Sequence, residues 1–318
     1  MKVDNLEFIE YTDDGYSVYK CPLCGGTIKV HDSVFYGRCD TCLCTLISYK
    51  PAPHQVKFHQ SKAKFKLNIG GFGSGKTTMG ACEIANHAMG IANGRTLITA
   101  QSLQQVKEAV LPELEKFLPP WFIARQTKTP LPKYTLINGH EIVIYASNDE
   151  EKLRSMDITG FLIEEASGIK PEIFQECVRR SRNVAGVING VPHYLGLVIS
   201  NPAQGFIREL LFSCSKIYGS KSIQKTVETY KDRIKNPNPD MEAFLSSSRD
   251  NTYLPKGFID KVINSLTPQQ VRLYVDCIIE YAEGAVYPDF LQHLCDRFEI
   301  PKDWHYYLAH DPGRRNAW

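Results

Sequence analysis

Lys64-Phe65-Lys66-Leu67-Asn68-Ile69-Gly70-Gly71-Phe72-Gly73-Ser74-Gly75-Lys76-Thr77-Thr78 joins an alternating apolar run to the pattern G-x-x-x-x-G-K-[ST]. The chemistry of a phosphate cradle asks for these residue types. Glycines let consecutive backbone N–H groups converge on phosphate oxygens, a lysine neutralises the outer phosphates, and a hydroxyl ligates magnesium. Lys64 to Ile69 reads as a strand, and Thr77 to Met89 reads as a helix closed by Gly90, whose N-terminal dipole faces the loop. Gly70, Gly71, Phe72, Gly73, Ser74, Gly75, Lys76, Thr77 and Thr78 are therefore the candidate nucleotide-binding residues, for ATP with magnesium on Thr77. Upstream, Gln55 is placed to read an adenine edge through its two-faced amide.

Outward from the loop, apolar runs alternate with helical periodicity. Arg95–Ala100, Gly160–Ile163 and His193–Ser200 read as buried strands, and Ser102–Phe117 as a helix that Pro112 can kink. Asn138-Gly139 between Tyr134–Ile137 and His140–Tyr145 marks a hairpin. This order predicts an α/β fold of the P-loop NTPase (RecA/ASCE-like) type, a mostly parallel sheet flanked by helices with its site at the carboxyl ends of the strands. Thr267-Pro268-Gln269-Gln270 opens a further helix, expected to run through Ile279 towards Gly284.

Leu162-Ile163-Glu164-Glu165-Ala166 places two carboxylates after an apolar strand, downstream of the phosphate loop. Glu164 is assigned to the magnesium and Glu165 to orienting or deprotonating the attacking water. Ser200 and Asn201, at the end of the strand Val198-Ile199-Ser200, are candidates for sensing the γ-phosphate. Arg154 is a candidate source of positive charge to the transition state, in cis or from a neighbouring subunit. The plain alternative for Arg154 is an exposed arginine paired with Asp157 or Glu150.

Five of the ten cysteines lie between residues 21 and 44. Cys21, Cys24, Cys39 and Cys42 form C-x2-C-x14-C-x2-C, a spacing that gathers four thiolates into a tetrahedron suited to Zn2+. Cys44 is a spare thiol or an alternative to Cys42. With four sulfurs and no open position, the metal's expected role is structural. The remaining cysteines are scattered among apolar neighbours, which predicts buried thiols. A net charge of +2 announces no nucleic-acid partner. The N-terminus has no apolar leader and no stretch reaches the length of a membrane span, so a cytosolic protein with no membrane partner is expected.

The ordered set resembles the large terminase subunit of tailed bacteriophages, from about residue 54 to the end. The resemblance rests on Gln55, Gly70 to Thr77, Leu153-Arg154, Phe161 to Ala166, Ser200-Asn201-Pro202, and Asp250-Asn251-Thr252-Tyr253-Leu254-Pro255. Glu283 to Phe290 and Tyr307 to Gly313 extend it. It implies an ATP-hydrolysing motor that drives double-stranded DNA into a capsid, working as a homo-oligomeric ring with the capsid portal and a small terminase subunit, in the cytoplasm of an infected host. Ser200 and Asn201 become the coupling motif, and Asp311 matches the first metal-binding aspartate of an RNase H-like nuclease. That nuclease is expected to be truncated and inactive here. Phe72 stands where the family often has an arginine, and Glu164 where it usually has an aspartate. The expected divisions are a zinc-ribbon-like module over 1–50, an ATPase core over 51–204, a helical lid or connector over 205–300, and the first nuclease strand over 301–318. Two other readings compete: a helicase-like or DNA-repair ATPase, and a zinc-ribbon adaptor with a non-hydrolysing nucleotide fold.

Overall fold

In the computed structural model, residues 7–47, 49–129, 132–148 and 153–279 are described. Asp311 and the expected nuclease strand lie outside them, as does the rest of the chain from 280 on. No helix among the described residues is long and apolar enough to cross a membrane.

The N-terminal strands β1 (Phe8–Tyr11), β2 (Tyr16–Lys20), β3 (Thr27–His31), β4 (Tyr36–Cys39) and β5 (Thr45–Ile47) pair in chain order as an antiparallel sheet. Among the described residues its buried apolar side chains are few: Val18, Cys21, Ile28, Val30 and Cys39. So small a core cannot offset the backbone entropy of ordering the sheet, and the sheet leans on its neighbour. Phe35 stacks on Phe117 with ring centroids 4.8 Å apart, Tyr36 meets Trp121 edge-on at 5.3 Å, and Trp121 Nε1 donates to Thr45 Oγ1 at 3.0 Å.

The main sheet contains β6 (Phe65–Gly70), β7 (Arg95–Ala100), β8 (Ile123–Thr127), β9 (Lys133–Leu136), β10 (Glu141–Ala146), β11 (Gly160–Ile163), β14 (Leu195–Ser200), β15 (Cys214–Gly219) and β16 (Asn238–Ser246). Their order is β15-β16-β6-β14-β11-β7-β10-β9-β8, and the short pair β12 (Val187–Ile188) and β13 (Val191–Pro192) stands apart. From β15 to β10 every pairing is parallel; β9 and β8 add an antiparallel edge. The strand alternation splits side chains between two cores. Phe161, Ile163 and Val198 enter one, while Leu162, Leu197 and Ile199 enter the other with helix α2 (Lys76–Gly90). Gly80 lets that helix lie close on the sheet, since a Cβ there would stand 2.3 Å from Ile199 Cδ1.

Two expectations need correction, and a third, the helix that Pro112 can kink, is met with an added detail. The sheet does not end at residue 204: β15 and β16 add two parallel strands, and β16 is the direct neighbour of β6. Their polar neighbours in sequence hid this, although Phe244 and Leu245 are buried. The helix expected through Ile279 is capped by Thr267 but stops at Tyr274. Cys277 takes φ +59° and its Sγ donates to Ile69 O at 3.5 Å, so the chain leaves the helix to lie against β6. Between Leu103 and Glu115 the helix contains a π-turn over Val106–Val110, immediately before Leu111-Pro112. Pro112 has no N–H for a carbonyl one turn back, and the wider turn accommodates it.

Candidate nucleotide site and cysteine cluster

The phosphate loop sits between β6, buried at every position, and α2. Its position is set by a buried charge group. Lys66 Nζ donates to Phe58 O at 2.9 Å and to Glu83 Oε2 at 3.0 Å, and Glu83 Oε1 also pairs with His59 Nδ1 at 2.6 Å. This ties β6 and α2 to α1 (Pro53–Gln60). Gly73 and Gly75 adopt φ +71° and +83°, a region glycine enters without strain. At Gly75 a side chain is excluded sterically as well, because a Cβ would lie 2.6 Å from Gln55 Nε2.

Lys76 is held over the loop, its Nζ 3.4 Å from Gly71 O. Burial lowers its pKa, with Glu164 and Glu165 acting against that. Thr77 Oγ1 donates to Glu164 Oε1 at 2.7 Å, so the strand-end carboxylate and the loop hydroxyl converge as the magnesium assignment requires. Glu164 Oε2 is buried with no hydrogen-bond partner, an oxygen poised for a cation. The extra methylene of glutamate is thus accommodated.

Burial pushes the Glu164 carboxyl up to about 7, with the Thr77 hydroxyl and Lys76 opposing and Glu165 reinforcing. Since the folded-state pKa lies above the ordinary 4.5, its stabilising contribution is complete below pH 4.5 and is lost as pH rises through about 7. The loss is about 3 kcal/mol. Glu164→Gln is therefore expected to raise the melting temperature of nucleotide-free, metal-free protein above pH 7, the gain fading towards pH 5. Parallel melting curves for both proteins across that range would remove the assignment of Glu164 as a buried, reluctant acid.

Glu165 is half-buried and takes φ +53°, uncommon for a residue with a Cβ and a form of strain that collects at functional sites. Asn201 Nδ2 reaches its Oε1 at 3.4 Å, while Ser200 Oγ donates to Asn201 O at 2.7 Å. Asn201 Oδ1 is buried and unpartnered. The structure thus brings together Lys76, Thr77, Glu164, Glu165 and Asn201. Arg154 is exposed; of its two partners in the plain reading, Asp157 pairs with Arg182 at 2.6 Å and Glu150 lies outside the described residues.

Two loop-adjacent residues behave differently from expectation. Gln55 is buried, and its Oε1 accepts from Tyr49 O–H and from Ala52 N–H, each at 2.8 Å. Its acceptor is spent on capping α1, leaving only Nε2 towards Gly75, so the amide cannot read an adenine with both faces. Phe72 stacks on Tyr274 with centroids 5.0 Å apart, and its N–H donates to Tyr274 O at 2.8 Å. The ring standing at that position is a brace between the loop and the C-terminal end of the helix Pro268–Tyr274. Sequence reasoning gave no role to Asn251, whose Nδ2 donates to Gly73 O at 2.6 Å.

In the N-terminal sheet the sulfurs of Cys21, Cys39, Cys42 and Cys44 all lie within 4.8 Å of one another. Cys21 Sγ is 3.6 Å from Cys42 Sγ and 3.5 Å from Cys44 Sγ. A tetrahedron of Zn–S bonds separates sulfurs by about 3.8 Å, so the donor set fits. Cys44 thus joins the expected thiols, and Cys24 stands beside the same group, 3.5 Å from Cys39. The cause is the ladder: Cys39 N–H donates to Cys44 O at 2.9 Å, drawing Cys44 opposite Cys39.

Residues 67–291 match the family described as terminase large subunit, T4likevirus-type, N-terminal. The chain belongs to that family. Among curated proteins none matches this terminase chain. Solved structures similar to it include the large terminase ATPase domain of Thermus phage P74-26, at 17% identity and TM-score 0.53, covering 73% of this chain and 94% of that one. A large terminase from another thermophilic bacteriophage, in complex with ADP, is 12% identical with TM-score 0.52, covering 74% of this chain. The terminase chain described here spans 55% of that protein's length. At such identities the likeness is one of fold, and the α/β P-loop architecture read from the sequence stands.

Proposed function

We propose that this chain is the ATPase part of a DNA-packaging motor, hydrolysing ATP to drive double-stranded DNA into a viral capsid in the cytoplasm of an infected host. The observation that carries this reading is the convergence of Thr77 with Glu164, and of Asn201 with Glu165, beside the phosphate loop of a terminase-family chain. Thr77 and Glu164 hold magnesium, which when bound neutralises charge on the outer phosphates. Lys76 binds the same phosphates. Glu165 orients the attacking water and accepts its proton, and Asn201 holds Glu165 in place. Ser200, through the Asn201 carbonyl, ties that contact to the end of β14. Because Asn201 touches the carboxylate that handles the water, loss of the γ-phosphate is transmitted into the strand junction and onward to DNA.

The expected partners are a capsid portal and a small terminase subunit, with copies of this chain arranged in a ring. Support against a helicase comes from β15 and β16, which extend the first sheet; among the described residues no second lobe is built. Measuring ATP hydrolysis with and without double-stranded DNA tests the reading, which predicts turnover stimulated by DNA. No turnover at high protein concentration sinks it in favour of a non-hydrolysing adaptor.

Since Phe72 is occupied by Tyr274, the transition-state charge must come from elsewhere, and Arg154 is exposed as a contribution across a subunit boundary requires. Arg154→Ala is expected to lose about 10³-fold or more in turnover. Mixing it with Glu165→Ala protein should restore part of the activity. Absence of rescue under assembling conditions assigns Arg154 no role in trans.

A further inference from the structure

A cavity of about 410 Å³ opens beside the phosphate loop, bounded by Gly75 and Thr78 on one side and by the cysteine-rich sheet on the other. The N-terminal module contributes Tyr19, His31 and Phe35; Tyr49, edge-on against Phe35 at 5.2 Å, and Tyr253 also line the space. Thr77 and Thr78 point to different sides of α2, being about 100° apart around the helix. Thr77 bonds Glu164 at 2.7 Å, while Thr78 Oγ1 donates to Glu113 Oε2 at 2.8 Å on the cavity side. A triphosphate whose outer phosphate meets Lys76, Thr77 and Glu164 therefore leaves the loop past Thr78, into this cavity. The volume is ample for a nucleoside, and the lining joins aromatic rings to polar groups, among them Asp32, Lys50, Glu113 and Lys116, that can meet a base and a ribose.

We propose that this cavity receives the base and ribose of the bound nucleotide, and that the cysteine-rich module supplies one of its walls. The inference rests on the nucleotide-binding reading of the loop. It gives the module, which lies outside the family match, a direct part in substrate binding. Flat rings from two separate segments face one space: Tyr19 from β2, and Tyr253 from the segment after β16. Tyr253 is 61% exposed, and its O–H donates to Lys50 O at 3.0 Å, tying the far wall to the linker beneath the module. Gln55 Nε2, next to Gly75, is the donor at the junction of loop and cavity.

The test measures dissociation constants of ATP and of inorganic tripolyphosphate for the full chain, for Tyr19→Ala and for Tyr253→Ala. Tripolyphosphate probes the phosphate loop without a base, and it reports in the same protein sample whether that loop is still formed. Wild type should bind ATP more tightly than tripolyphosphate. Each variant should lose about tenfold or more in ATP affinity, the usual effect of removing an aromatic platform under a base, with tripolyphosphate binding unchanged. Unchanged ATP affinity in both variants overturns the proposal, as does an equal loss for both ligands. Wild type that binds tripolyphosphate as tightly as ATP overturns the cavity assignment alone. Wild type that binds neither ligand removes the nucleotide reading and this proposal with it.

Discussion

Glu165→Gln is expected to lower ATP turnover by about 10² to 10⁴-fold, the range over which positioned general bases act, while ATP binding is retained. The amide has nearly the shape of the carboxylate, so the turn at φ +53° and the contact from Asn201 can persist. What disappears is the ability to accept the proton of the attacking water. Steady-state hydrolysis alongside equilibrium binding separates the two quantities. Turnover within a few-fold of wild type moves the base elsewhere. Glu164→Gln should behave differently, losing the metal ligand opposite Thr77 and so weakening binding of the magnesium complex. The two adjacent carboxylates thus carry separable signatures, one in turnover and one in metal-dependent affinity.

The second large effect concerns the cysteine cluster. About one zinc per chain is expected, held by Cys21, Cys39, Cys42 and Cys44. Metal binding of this kind contributes on the order of 10–16 kcal/mol to folding. With so few buried apolar side chains, Val18, Cys21, Ile28, Val30 and Cys39 among the described residues, the N-terminal sheet has no comparable source of stability. Cys39→Ser should lose the metal and open the segment before residue 53 to proteolysis, while the nine-stranded sheet stays folded on its own two cores. Cys44→Ser should lose the metal as well. Elemental analysis of protein purified without chelator, followed by limited proteolysis, reads each outcome. Absence of metal, or a protease-resistant segment after its removal, contradicts the assignment.

Much of the site was legible because its chemistry is local. A phosphate cradle is a run of consecutive residues, and the strand before it and the helix after it announce themselves by period. Glu164 and Glu165 were readable for the same reason, as a carboxylate pair ending an apolar strand. Cys44 was ambiguous because spacing along the chain counts residues, whereas a metal selects sulfurs by the hairpin register that brings Cys44 across from Cys39. Gln55 differs from its sequence reading in another way. Its amide looked free, but capping α1 and bonding Tyr49 consume its acceptor, a local competition that residue type alone does not reveal. The extension of the sheet past residue 204 escaped notice because β15 and β16 carry many polar residues and belong together only through β6.

By itself, then, the chain's sequence determined the α/β class, the phosphate loop, the acidic pair and the existence of a thiol cluster, since each is encoded in short-range pattern. Only the tertiary structure decided which neighbours surround them. It placed Tyr274 under Phe72, Asn251 on Gly73, Asn201 on Glu165, and the cysteine-rich sheet beside Gly75 and Thr78. These contacts join residues far apart in the chain. They arise from the packing of whole elements, which no local periodicity specifies.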